Sequence, residues 1–286
     1  MIESTLDVGG AVAFWTASEF TDREKLTAGL APLALDAFVP DPRPHASILK
    51  DALEETLGGP RVLVRPLADR DGFTVVREER RKTANYYTTD LVARVVAGDP
   101  PEITYEPLDE RAVLVNAAFR KHQDRIPAVQ LSACLVQIVE FLGGTRLRPT
   151  GAVYWIPGPK LDDWAAVAQA VEQASDGRPS AVYVLRHRLD PDAVRAIRDA
   201  VVAEVQAEAS RIRDEVNTGD LGGRALETRK KQAVELRDKV LLYEDLLSVG
   251  LTDLHRVIDS ADQATATAAL LLGSQAQVTP VPASVG

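Results

Sequence analysis

Two long apolar stripes in the last third of the chain constrain its fold more than any other feature. Asp190 is a good N-cap, and Pro191 suits the first helical position because its missing N–H costs no hydrogen bond there. A first stripe then recurs at helical spacing through Val194, Ile197, Val201, Val205, Ile212 and Val216. After the Gly-rich stretch 217–223, a second stripe runs through Leu226, Ala233, Leu236, Val240, Tyr243, Leu247, Leu251, Leu254 and Ile258. We expect two antiparallel helices, a hairpin of the coiled-coil kind, over residues 190–260, and a short third helix over 264–272.

The residues before this hairpin predict a sheet domain with helices around it. Period-two patterns indicate an antiparallel meander of three strands, at 61–67, 73–79 and 86–96. Further strands are expected at 11–15, 145–148, 152–156 and 181–188. This mixed order favours an α+β fold, with a mixed sheet and a central antiparallel meander, over a doubly wound parallel sheet. We expect a sheet domain over 1–189, a helical hairpin arm over 190–273 and a flexible, uncharged tail over 274–286.

Composition and motifs exclude several classes of protein. The net charge of −9 opposes a surface that is basic throughout, so nucleic acid would need a local basic patch. A single cysteine, Cys134, excludes an internal disulfide and any Cys-rich zinc site. The sequence has no secretory n-region and no apolar run of bilayer length, so we expect a cytoplasmic protein that does not bind membranes.

No pattern in the sequence identifies a cofactor, a metal site or catalytic residues. GxxxxGK[ST], GxGxxG and GxSxG are all missing from it. The four histidines (His45, His122, His187 and His255) do not pair at metal-ligand spacing. Cys134 lies in an apolar helical pattern, where a small buried side chain is the usual role. We therefore expect no cofactor and no metal.

The segment 144–157 has the most distinctive chemistry. Arg146 and Arg148 alternate with Leu147 and so project from one face of a strand, while Tyr154 and Trp155 lie on opposite faces of the next. Arginines beside an exposed aromatic ring, with Lys160 nearby, could hold a phosphate or stack a base. The alternative, which we favour, is a hairpin whose aromatic rings plug the core and whose arginines pair with the acidic surface. Because Tyr154 and Trp155 lie on opposite faces, we expect the two rings to divide between core and surface.

This segment, together with the following helix and the stretch 242–247, resembles an uncharacterised family of bacterial and phage proteins. In that family an Arg-Pro, small-residue, aromatic, Pro pattern precedes a long helical region; here it corresponds to residues 148–157. The resemblance covers about residues 110–270. It implies no activity and no catalytic residues, but favours a phage, plasmid or defence-island origin.

A basic stretch opens the second long helix. Its candidate binding residues are Arg224, Arg229, Lys230 and Lys231. A basic helix face can bind nucleic acid. It can equally pair with acidic residues of the preceding helix, at Glu204, Glu208, Asp214 and Glu215, as antiparallel packing would allow. We favour the pairing.

Three functional hypotheses follow from these patterns. The first is a non-enzymatic interaction or assembly protein that binds a protein partner, or itself, through the hairpin and the tail. The second is a nucleic-acid-associated protein that uses the basic residues of 146–160 and 224–239. The third is an enzyme with an unrecognised site, for which Asp162 and Asp163 are the first carboxylates to test.

Overall fold

A computed structural model describes residues 9–80, 84–148, 151–175, 179–218 and 221–276. The chain divides into two compact units, and the boundaries differ from the expected one at 189/190. The first, here called the sheet–bundle unit, comprises residues 1–16, 135–169 and 181–286. The second, the meander unit, comprises residues 17–134 and 170–180. The long helices share a unit with part of the expected sheet domain, because they pack their apolar stripes against its first strand and its Trp155.

The meander unit confirms the expected antiparallel meander and adds one strand to it. Its strands run in sequence order as β3 (Val62–Pro66), β4 (Gly72–Arg80), β5 (Asn85–Val96) and β6 (Glu102–Glu106). Two short strands, β2 (Thr21–Asp22) and β7 (Arg125–Ile126), pair separately. The helices are α1 (Arg23–Leu30), α2 (His45–Leu57) and α3 (Ala112–Gln123). Buried residues of α2, α3, β4 and β5 form one core.

Asp22, and not Thr21, caps helix α1. The side chain of Asp22 accepts a hydrogen bond from the Lys25 N–H, 3.0 Å away. Thr21 is buried in strand β2 and its hydroxyl donates to the Ser18 carbonyl. The spacing of Thr21 and Glu24 is that of a capping box, but the residue that caps the helix is Asp22, one position later.

The sheet–bundle unit contains a four-stranded sheet in the order β10-β1-β9-β8. Each of its pairings is antiparallel. The strands are β1 (Gly10–Thr16), β8 (Thr145–Arg146), β9 (Tyr154–Pro157) and β10 (Ala181–His187). Helices α4 (Ala128–Phe141) and α5 (Leu161–Gln173) each cross a boundary between the two units in sequence.

The two aromatic residues of β9 lie on opposite faces of this sheet, as the pleat requires. Tyr154 stacks on Trp15, with ring centroids 5.1 Å apart. Trp155 instead joins the core formed by the long helices. Gly10 makes room for it, because a Cβ atom there would lie 2.3 Å from Cζ2 of Trp155.

Three helices, rather than a hairpin and a short addition, form the C-terminal region. They are α6 (Pro191–Asn217), α7 (Gly223–Leu247) and α8 (Thr252–Ala276). The expected hairpin exists as α6 and α7, but its second helix ends at Leu247, where Ser248 takes a left-handed φ of 52°. The apolar stripe continues past this turn, since Leu251 just before α8 and Leu254 and Ile258 within it face the same core. Periodicity alone could not reveal the break.

Part of the apolar surface that lies off the two stripes is covered within the bundle. Val202, Leu246 and Val257 lie off the stripes and pack against the bundle core, whereas Leu241 remains 51% exposed. The expected tail begins with residues 274–276, which belong to α8, and its remainder, 277–286, lies outside the described residues.

Candidate interaction surface on the helical bundle

The aromatic rings of the 144–157 segment belong to the core. Tyr154 and Trp155 are 3% and 1% exposed, so the expectation that one of the rings would be exposed is wrong. Arg146 is exposed, but its Nη2 donates to the Tyr154 hydroxyl at 2.9 Å, and its guanidinium lies 5.4 Å from the Tyr154 ring centroid. Neither ring is accessible for stacking on a base.

The other cations of this region are placed on the surface. Arg148 is exposed, and Lys160 is half-buried with its Nζ 3.4 Å from the carboxylate of Asp163. Asp162 and Asp163 lie in the first turn of α5, where a negative charge interacts favourably with the helix dipole. This position explains both carboxylates as groups that stabilise the start of a helix.

The basic stretch of α7 contacts carboxylates of α6 and of its own helix. Arg229 Nε lies 2.6 Å from Glu215 on α6, and Lys231 pairs at 3.7 Å with Glu235 one turn along. Arg224 and Lys230 are exposed. Farther along, Arg237 Nη2 donates to Asp259 of α8 at 2.9 Å. Arg229 thus joins α7 to α6 and Arg237 joins it to α8, whereas Lys231 pairs within its own helix.

A polar cluster that the sequence did not reveal ties the bundle to the turn before β8. Lys239 Nζ donates to the Gly144 carbonyl at 2.7 Å and to Glu204 of α6 at 2.5 Å. The other oxygen of Glu204 accepts from the Thr145 hydroxyl at 2.5 Å, and the Tyr243 hydroxyl donates to the Gly143 carbonyl at 3.0 Å. The Gly143-Gly144 pair has the pattern of a helix stop, and Gly143 does take a left-handed φ of 75°. No local spacing indicated that the carbonyls of Gly143 and Gly144 accept hydrogen bonds from residues 100 and 95 positions later.

Burial and charge shift the pKa values of this cluster. Burial raises the pKa of Tyr243 well above its ordinary value, with Glu204 acting in the same direction. Burial also raises the pKa of Glu140 at the end of α4, helped by Glu204 and opposed by Lys239 and Arg146. Although Glu140 retains an exposed surface, the protein around its carboxyl group disfavours the charged form.

The cluster has the features of a structural tie rather than a reactive site. The Lys239 side chain is only 10% exposed, and the Thr145 hydroxyl belongs to a residue that is 1% exposed. Burial likewise raises the pKa of the Cys134 thiol to about 11, which keeps it protonated and unreactive. Among the residues that the structure describes, no group of three or more His, Cys, Asp or Glu side chains is placed to hold a metal ion.

The far end of the bundle has a different surface. The sequence carries no charged residue after Asp262, so the second half of α8 is entirely neutral. Leu270 and Leu271 are 75% and 60% exposed there. With Gln263, Ala266 and Thr267, which are also exposed, they form what is here called the outer face of α8.

Two grooves flank the outer face of α8. One, of about 610 Å³, lies between α6 and α8 and is lined in part by Arg213, Asn217 and Leu271. The other, of about 490 Å³, lies between α7 and α8, with Leu226, Ala266 and Ala269 in its lining. Leu226 and Leu272 contribute to both grooves, whereas Leu270 lines neither of them.

Comparison with known proteins places this bundle in a family. The family profile described as "Family of unknown function (DUF6744)" matches residues 7–276. The chain belongs to this family. The expectation of an uncharacterised family is confirmed, and the match extends well beyond the expected range of about 110–270, since it includes the meander unit.

The remaining comparisons add no functional information. No curated protein and no solved structure matches the chain. No helix in the described part of the chain is long and apolar enough to cross a membrane.

Proposed function

We propose that this chain is a non-enzymatic assembly protein, in which a second copy of the chain docks on the outer face of α8. The observation that carries the proposal is the exposure of Leu270 at 75% on a helix half that carries no charge. Scattered exposed leucines are ordinary on protein surfaces. Here, however, two successive leucines, Leu270 and Leu271, are both exposed on a helix half without charge, and exposed apolar side chains grouped in this way are typical of interaction sites.

Electrostatics favour self-association at this place over other parts of the chain. Each copy carries a net charge of −9, so two copies repel each other wherever acidic surfaces meet. The second half of α8 contributes no charge to that repulsion. Asp262, the last charged residue before it, is already 3.3 Å from Arg237 Nη2. Two outer faces can therefore approach without burying an unpaired carboxylate.

The two rival hypotheses have less support. A nucleic-acid interface would need a cluster of accessible cations. Arg224 and Lys230 are exposed, but Arg229, Arg237 and Lys239 contact carboxylates within the bundle. It would also need accessible rings, and Tyr154 and Trp155 are buried. An enzyme would need a reachable set of reactive groups, whereas the most concentrated polar cluster is closed by Lys239 and Thr145.

The biological setting is a proposal as well. We place the assembly in the cytoplasm of a bacterium, in a phage-, plasmid- or defence-related system. The support is the Arg-Pro, small-residue, aromatic, Pro pattern of residues 148–157 and the single cysteine, whose buried thiol needs no oxidising compartment.

Sedimentation velocity over a series of concentrations tests the proposed assembly. We expect the full chain to form dimers as the concentration rises, and Leu270→Glu to weaken dimerisation by at least about tenfold because two buried charges would face each other. Val113→Glu is the matched control, since Val113 is 73% exposed on α3 of the meander unit. A chain that stays monomeric throughout contradicts the proposal, as does an equal loss of dimer in both variants.

A further inference from the structure

The charged side chains of helix α7 fall into two groups. The half-buried ones each contact a charged or ionisable partner on α6 or α8; they are Arg229, Arg237, Lys239 and Glu244. The exposed ones are Arg224, Glu227, Lys230, Lys231, Glu235, Asp238 and Asp245. Because the first group already joins α7 to both neighbouring helices, the second group is available for a contact outside the bundle.

The exposed charges are sorted along the helix. Before Val234 there are three exposed cations and one carboxylate, whereas after it there are three exposed carboxylates and no exposed cation. This order opposes the helix dipole, which favours carboxylates in the first turn and cations in the last. The first turn of α7 holds no acidic residue, and the last turn holds no basic one. The stability of the helix by itself therefore does not explain the order, whereas a neighbour with the reverse order of charges would.

Two apolar side chains lie among these charges on the same face of α7. Val234 and Leu241 are seven residues apart, about two helical turns, and are 44% and 51% exposed. The charged residues that continue this face, at spacings of three, four or seven residues, are Arg224, Lys231, Asp238 and Asp245. These six residues, here called the solvent face of α7, combine apolar side chains near the middle with opposite charges toward the two ends.

We propose that the solvent face of α7 packs against the same face of a second copy, with the two helices antiparallel. In antiparallel helices, residues at equal distances from the centre of the contact meet. A two-fold contact centred next to Val234 places Lys231 level with Asp238 of the second copy, and Arg224 level with its Asp245. Symmetry forms each pair twice. A parallel arrangement would instead place like charges opposite each other.

A second copy fits this face better than a nucleic acid does. Phosphates would be attracted by the first half of α7 but repelled by the exposed carboxylates of its second half. The antiparallel contact between two copies gives each half a partner of opposite charge.

This contact goes beyond the proposed dimerisation through α8, and it shares no residue with the outer face of α8. Val234 and Leu241 expose smaller fractions of their side chains than Leu270 and Leu271 do. We therefore expect the α7 contact to be the weaker of the two and to join α8 dimers into larger assemblies. Its exposed ion pairs make it sensitive to salt, whereas a contact between the neutral faces of α8 has no charges to screen.

Charge reversal with rescue tests the α7 contact in the full chain. A Leu270→Glu background weakens the proposed α8 contact, and sedimentation velocity at low ionic strength measures the association that remains. Arg224→Glu and Asp245→Lys are introduced singly and together. Both changes suit the helix dipole, so neither should unfold α7. Arg198→Glu is the matched control, because Arg198 is exposed on α6 and its reversal changes the net charge as much as Arg224→Glu does.

We expect each single reversal to weaken the association about tenfold, because it turns two attractions into repulsions, and the double reversal to restore it. Arg198→Glu should leave the association unchanged, and added salt should weaken it. A Leu270→Glu chain that stays monomeric at every concentration would overturn the proposal. So would a double variant that associates no better than the single ones, or an equal loss in Arg198→Glu.

Failure of this proposal is distinguishable from failure of the α8 contact. If only the α8 contact is wrong, Leu270→Glu leaves the association unchanged and Arg224→Glu still weakens it. If only the α7 contact is wrong, Leu270→Glu weakens the association and Arg224→Glu has no effect.

Discussion

The two ends of the helical bundle are built from the same three helices but are finished in different ways. At the inner end, Lys239, Tyr243 and Glu204 satisfy backbone and hydroxyl groups of the turn 143–145. At the outer end, half-exposed ion pairs such as Arg229–Glu215 join α6 to α7, while α8 is neutral and presents Leu270 to solvent. Buried polar contacts specify one arrangement of the inner end, whereas the outer end retains apolar surface that its own fold does not need.

Substitutions of Trp155 at the inner end and of Leu270 at the outer end should differ most in their effect on the free energy of unfolding. We expect Trp155→Ala to lower the free energy of unfolding by about 3–5 kcal/mol, because it opens a cavity beneath the bundle. Leu270→Ala should change it by less than about 0.5 kcal/mol, since an exposed side chain loses few contacts. Urea denaturation of both variants measures this. Similar losses of unfolding free energy in the two variants would contradict the distinction between a structural end and an interacting end.

The ion pair of the inner end should matter more than an exposed pair on the same helix. We expect Lys239→Met to cost about 2 kcal/mol, because it leaves the Gly144 carbonyl and the Glu204 carboxylate short of a donor. Lys231→Met is the matched control, since Lys231 and Glu235 are both mostly exposed, and it should cost at most about 0.5 kcal/mol. Equal costs in denaturant titrations would show that the inner pair is no more than a surface contact.

Removal of the Tyr243 hydroxyl distinguishes the contribution of hydrogen bonding to stability from that of packing at the inner end. We expect Tyr243→Phe to cost about 1–2 kcal/mol, because the ring stays packed while the Gly143 carbonyl loses its donor. A melting temperature unchanged from that of the parent chain would mean that the hydroxyl adds nothing to the tie.

The smallest expected effect is a pH dependence at the turn between α7 and α8. His255 Nε2 lies 3.0 Å from one Glu244 oxygen, and the Leu251 N–H donates to the other at 2.6 Å; these contacts lower the pKa of Glu244. A lowered pKa stabilises the fold above the unfolded-state value of about 4.3, and this contribution is lost as the pH falls through the folded value. We expect Glu244→Gln to melt below the parent chain near neutral pH and together with it near pH 3. A gap that is constant over this range would contradict the assignment.

Local sequence signals were sufficient to predict the helices and strands but not the contacts between them. Helical spacing predicted α6 and α7, and period-two patterns predicted three strands of the meander, because both depend on burial along one element. The turn at Ser248 escaped notice because α7 and α8 face one core and so continue a single stripe. Thr145 and Lys239 lie 94 positions apart, and no spacing rule reaches across that distance. The exposure of Tyr154 was mispredicted for the same reason, since the sequence does not show that Trp15 packs on its ring.

Hydrogen–deuterium exchange at two protein concentrations tests the central proposal, that copies associate through the outer face of α8, most directly. We predict slower exchange of residues 263–272 at the higher concentration, and no such change in α3, whose Val113 is about equally exposed. Amide exchange reports the stability of each helix segment, so an interface appears as protection confined to it. Exchange of residues 263–272 that is the same at both concentrations, or protection that appears on α3 instead, would contradict the account.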